Sequence, residues 1–108
     1  MAFTLANNQT RTGPVGGRAD LRYIFEVTGP ASYTNTGTWA TSGEATNFGI
    51  TVERLASFTI DNGAGTFRIV TYDYTTGRLH AFVPNTGAEV ANGVDLSTFT
   101  GRLEVTGY

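Results

Sequence analysis

Apolar and polar residues alternate with a period of two along most of this chain, the mark of half-buried strands. Phe67–Val83, FRIVTYDYTTGRLHAFV, shows the pattern best. Two β-branched and aromatic runs flank Thr75-Thr76-Gly77, and a short loop with Gly in third place is a common hairpin connection. Gly77 is expected in the left-handed conformation that such a turn needs. With Tyr74 opposite Arg78, the register pairs Asp73 with Leu79, Tyr72 with His80, Thr71 with Ala81, Val70 with Phe82 and Ile69 with Val83. One face then carries Phe67, Ile69, Leu79, Ala81 and Val83, and reads as core. The other carries Arg68, Val70, Tyr72, Tyr74, Arg78, His80 and Phe82. That face is too aromatic for plain solvent and too polar for a plain core, so it reads as an interface with another protein chain.

The rest of the chain extends this reading. Residues 1–6 alternate weakly, with Phe3 and Leu5 on one side. Residues 7–20, NNQTRTGPVGGRAD, are turn-formers that argue against regular structure. Residues 1–20 are therefore expected as an N-terminal arm or edge segment, with Phe3 and Leu5 available to bury against a neighbouring subunit. Residues 21–28 form a strand with Leu21, Tyr23, Phe25 and Val27 on one face. Residues 31–41 read as a weaker strand around Tyr33 and Trp39, and 42–48 as a loop. The phase of the apolar positions changes between Ile50-Val52 and Leu55-Phe58-Ile60, which predicts a bulge or bend near Glu53–Ser57. Asn62-Gly63 is a hairpin signal, so 55–83 reads as a three-stranded meander. A loop follows at 84–93 and a last strand at 97–106. About six to eight short strands at this spacing predict an all-β fold, a single antiparallel β-sandwich or small barrel over residues 21–108.

Composition narrows the function. At 108 residues the chain makes one domain, large enough for a core of its own. It has no cysteine, hence no disulfide and no thiolate metal site. A net charge of −2 leaves no basic field for a polyanion, which argues against nucleic acid. All seven basic residues are arginine, a residue suited to interfaces, although base composition of the gene gives the same bias. No apolar run approaches a membrane span, and the first residues do not resemble a signal peptide, so the product is expected to stay where it is made unless an assembly carries it.

Candidate chemistry is sparse. The single histidine, His80, has no serine in a nucleophile turn to serve, and the expected register puts Asp73 on the opposite face from it. No metal or cofactor site is expected. Glu26, Glu53, Glu104 and Asp73 sit on strands, where two could face each other as a glycosidase pair, but so short a chain leaves little room for a cleft. The aromatic residues Trp39, Tyr23, Tyr33, Tyr72 and Tyr74 fit either a sugar-stacking platform or a core or subunit interface.

The hairpin Tyr72-Asp73-Tyr74-Thr75-Thr76-Gly77-Arg78-Leu79-His80-Ala81-Phe82, followed by Asp95-Leu96-Ser97 and Gly107, resembles a group of small structural proteins of tailed-bacteriophage particles. The resemblance covers roughly residues 65–108, with Arg78 where the group usually has lysine. It implies a non-enzymatic head decoration (cement) protein on the outer capsid surface. The expected partners are the major capsid protein and two further copies in a homotrimer, with neither nucleic acid nor membrane. No functional residue carries over with the resemblance. The alternative is a carbohydrate-binding or host-recognition module on a phage tail or head fibre.

Overall fold

The computed structural model describes residues 2–15 and 18–108. Among these there is no helix, and the chain forms eight antiparallel strands in one curled, half-barrel sheet. They are β1 (Thr4–Val15), β2 (Arg18–Thr28), β3 (Glu44–Ala45), β4 (Val52–Leu55), β5 (Phe58–Asp61), β6 (Phe67–Asp73), β7 (Arg78–Phe82) and β8 (Thr100–Gly107). The order across the sheet is β1-β2-β8-β5-β6-β7-β3, with β4 also on β8. The all-β expectation holds, and so does the meander β5-β6-β7.

β8 is the spine. β2 pairs along one side of it from Leu21↔Gly107 to Thr28↔Thr100. β4 and β5 line up end to end along the other side. The break between them at Ala56-Ser57, with a register shift at Glu53, is the source of the phase change in the apolar pattern. Alternation on β2 places Phe25 and Val27 in the core and leaves Arg22 and Glu26 outside. There they pair with Glu104 and Arg102 across to β8, at 2.6 and 2.8 Å. Both pairs are about half exposed and contribute little.

Three expectations about the first half change. Residues 7–15 are not an irregular arm: β1 pairs with β2 from Thr4↔Thr28 to Val15↔Arg18, with one bulge between Asn7 and Gln9. Backbone pairing to a strong neighbour overrides the poor intrinsic preference of this stretch. The Gly16-Gly17 part of the expected loop lies outside the described residues. Phe3, assigned above to a neighbouring subunit, is 6% exposed and belongs to the chain's own core, with Leu5 packed beside it. Residues 31–41 are not a strand either; they run as bends and turns.

The open side of the half-barrel is closed by two loops that hydrogen-bond to each other. Gly29 N–H donates to Phe99 O (2.9 Å), Leu96 N–H to Pro30 O (2.8 Å), Tyr33 N–H to Val94 O (2.9 Å) and Gly93 N–H to Tyr33 O (2.7 Å). Val90 N–H donates to Ala81 O (2.9 Å), which ties the second loop to β7. These bonds satisfy backbone groups that would otherwise be buried without partners. Tyr33, Val90, Leu96 and Phe99 point into the core from these loops. Each such side chain is worth about 1.5–3 kcal/mol of burial.

Candidate functional site

The β6–β7 hairpin differs from its expected register by one residue. Asp73 lies opposite Arg78, Tyr72 opposite Leu79, Thr71 opposite His80, Val70 opposite Ala81 and Ile69 opposite Phe82. The connection has four residues, Tyr74 to Gly77, and Gly77 is left-handed as expected, at φ 70°. The cause is Asp73. Its carboxylate accepts from Thr75 N–H and Thr76 Oγ1, both at 2.9 Å, so the turn begins one residue earlier. The Thr75 amide is the main reason that its carboxyl is held below the usual range, with Thr76 and the Trp39 indole adding to it.

A slip of one residue exchanges side chains between faces. Val70, Leu79 and Ala81 form the core face, with Tyr72 beside them. Phe67, expected in the core, is largely exposed. Asp73, Arg78, His80 and Phe82 share the other face with Thr71, so Asp73 and His80 are not separated after all. The carboxylate that reaches His80 nevertheless belongs to Glu89, whose Oε2 lies 3.2 Å from Nδ1.

That second face is covered by the chain itself. The loop 34–43 folds over β7 and lays the Trp39 indole flat on the His80 imidazole, 3.8 Å between ring centres and 3° from parallel. Phe82 flanks the indole at 6.1 Å. The imidazole is 0% exposed, whereas Trp39 remains 52% exposed. Gly43 is what allows the loop to lie so close. At φ 80°, an added Cβ would sit 2.5 Å from Leu79 O and 3.0 Å from His80 Nδ1.

Below His80 the network continues inward. Glu89 Oε2 also accepts from the Tyr33 hydroxyl at 2.6 Å, and that oxygen accepts in turn from Ala81 N–H at 3.0 Å. Burial first, then the Glu89 carboxylate, pushes the Tyr33 phenol far above its usual range, so Tyr33 is a fixed donor. His80 Nε2 is buried without a hydrogen-bond partner among the described residues. A histidine held by a carboxylate is the base half of a hydrolytic triad. Here the imidazole lies beneath the Trp39 indole, with Glu89 against its Nδ1.

The loop carrying Trp39 is tied to itself. Thr36 N–H donates to Ser42 Oγ (2.8 Å), Gly37 N–H to Asn35 Oδ1 (2.9 Å), and the Thr36 and Thr41 hydroxyls meet at 2.6 Å. Ser42 is fully buried. Arg78 Nη1 donates to Gly43 O at 3.2 Å and fastens the loop to β7.

The remaining residues of the expected interface are dispersed. Tyr72 is part-buried among Phe48 and Tyr74 on the core side. The Tyr74 ring is exposed, but its hydroxyl donates to Leu55 O (3.2 Å) and accepts from Leu55 N–H (2.8 Å), standing in for a strand beside β4. Arg68 lies over the Phe99 ring, 5.4 Å from its centre. Hence Arg68, Tyr72, Tyr74, Arg78, His80 and Phe82 do not form one surface patch. Asp95-Leu96-Ser97 serves the fold: Asp95 accepts from Ser97 N–H at 2.8 Å, and Leu96 is buried.

Tyr33 and Glu89 were missed as members of this site. Glu89 stands in a loop of small residues, and only the fold brings it to His80. Among the described residues no group of three or more His, Asp or Glu is placed to hold a metal. Comparison with protein-family models, curated proteins and solved structures finds no match for this chain.

Proposed function

We propose that the chain is a decoration protein of a tailed-bacteriophage head, a non-enzymatic module that binds the outer capsid surface as a homotrimer and stabilises the shell. The resemblance of residues 65–108 to small phage structural proteins is one support. The observation that carries the reading is the β1–β2 hairpin. Its ladder continues through Gly13↔Asp20, Pro14↔Ala19 and Val15↔Arg18, past Leu21, the last residue of β2 that β8 reaches. At roughly 3.3 Å per residue the ribbon extends about 10 Å beyond its third strand.

A two-stranded ribbon is marginal in water by itself. Seated against neighbouring subunits, such a ribbon gains contacts that steady it. A protein that binds the assembled lattice better than free subunits stabilises that lattice by mass action. The test is co-sedimentation with purified capsids from which the bound protein has been stripped. Wild type is expected to pellet with the shells, and a variant with residues 13–20 replaced by Asn-Gly is expected to stay in the supernatant with an unchanged melting transition. Equal pelleting by both proteins contradicts this role for the hairpin.

A further inference from the structure

We infer that Trp39 is a binding plate for a neutral pyranose ring, with the buried His80 as its pedestal. This inference uses β7 and its covering loop and does not depend on the shell-binding reading.

The first argument is support. One indole face is covered by the parallel imidazole, yet half of the residue is exposed, so the uncovered face is turned outward. Phe82 flanks the indole, 6.1 Å between ring centres. The imidazole is held by Glu89, and Glu89 by Tyr33. A plate supported on one face by a pedestal that is itself held in place loses little freedom when something stacks on it, which is where preorganised sites gain affinity.

The second argument is the rim. Thr36, Gly37, Thr38, Ala40 and Thr41, which surround Trp39 in the loop, are all exposed. They present hydroxyls and backbone groups and almost no apolar surface. A protein hot spot is normally ringed by contacts that exclude water; here Phe82 on one side and Ala40 add apolar surface to a rim that is otherwise polar. An apolar disc in a mostly polar ring matches a sugar, whose axial C–H groups present a weakly positive face to the negative π-face of the indole. The outward hydroxyls would then meet the rim donors and acceptors. Rings with all hydroxyls equatorial, such as β-glucosides, present the flattest face. Arg78 and Asp73 stand opposite each other beside the plate, so the local charge is balanced and a neutral sugar fits better than an acidic one.

Trp39 is the single tryptophan, so its emission reports this site alone. The experiment titrates the whole chain with cellobiose, lactose and N,N′-diacetylchitobiose and follows tryptophan emission, alongside a glycan array. Saturable quenching or a blue shift with at least one of these sugars, and array binding lost in Trp39→Ala, are expected. Trp39→Phe keeps a smaller ring on His80 and should bind about tenfold more weakly than wild type, which separates loss of the plate from loss of the fold. No saturable change with any sugar and an empty array overturn the inference, and so does binding retained in Trp39→Ala. Capture of Trp39 by a capsid protein in place of any sugar makes it a protein anchor and also overturns the inference.

Discussion

The Trp39 indole and the His80 imidazole lie face to face, 3.8 Å apart and 3° from parallel, one half exposed and the other fully buried. Each depends on the other. The loop covers the imidazole, and the imidazole gives the loop a flat surface to settle on. His80→Ala is expected to cost about 2–4 kcal/mol, the range for emptying a well-packed site. It should also shift the Trp39 emission to the red at neutral pH, before unfolding. Urea denaturation followed by fluorescence and by circular dichroism reads both effects.

Tyr33→Phe removes a hydroxyl that joins a carboxylate to a backbone amide. The expected loss is about 1.5–3 kcal/mol, since Glu89 and Ala81 N–H both lose a partner. The pH dependence has a definite sign. The folded phenol is raised above the ordinary tyrosine value of about 10, so its contribution is complete below that pH and is lost as pH rises above it. Wild type should weaken steeply in alkali and Tyr33→Phe less so. Tyr72, also raised by burial, leaves a residual slope in both. Denaturation between pH 8 and about 11 checks the difference.

Asp73 acts in the opposite direction. Its folded carboxyl is held low, chiefly by the Thr75 amide, so its contribution is present above the ordinary carboxylate value of about 3.9 and fades as pH falls through the folded one. Asp73→Asn should lower stability at neutral pH and flatten the acid limb of the profile. Asp95, held low by Ser97, keeps part of that limb in place. Thermal melts from pH 7 down to about 2 show whether the two proteins converge in acid.

Gly43→Ala tests how closely the loop must approach β7. A left-handed alanine costs on the order of 1–3 kcal/mol, and its Cβ would press on Leu79 O and His80 Nδ1. The loop is expected to lift, with Trp39 emission moving toward that of a solvated indole while the sheet keeps its circular dichroism spectrum.

Local patterning made much of the fold legible. Alternation placed Phe25 and Val27 in the core, Asn62-Gly63 marked a turn, and the phase change anticipated the break between β4 and β5. The one-residue difference at β6–β7 arises because Thr75-Thr76-Gly77 reads as a three-residue loop until Asp73 is weighed as a turn initiator, and it moves every partner. The loop 34–43 was less legible, because Tyr33 and Trp39 look like strand residues until Ser42 and Asn35 tie the segment into bends. The site was the least legible part. The pairs Trp39–His80 and Tyr33–Glu89 span long stretches of chain, and no local signal records them. The aromatic surplus of the hairpin was visible, but much of its cover is the chain's own loop.

The proposed role puts this protein on a phage head. Quantitative mass spectrometry of virions purified from cultures that express the chain tests it most directly. The chain is expected to remain with the particles through gradient purification, in a fixed ratio to the major capsid protein. Its absence from purified particles, while it is abundant in the lysate, would contradict the claim.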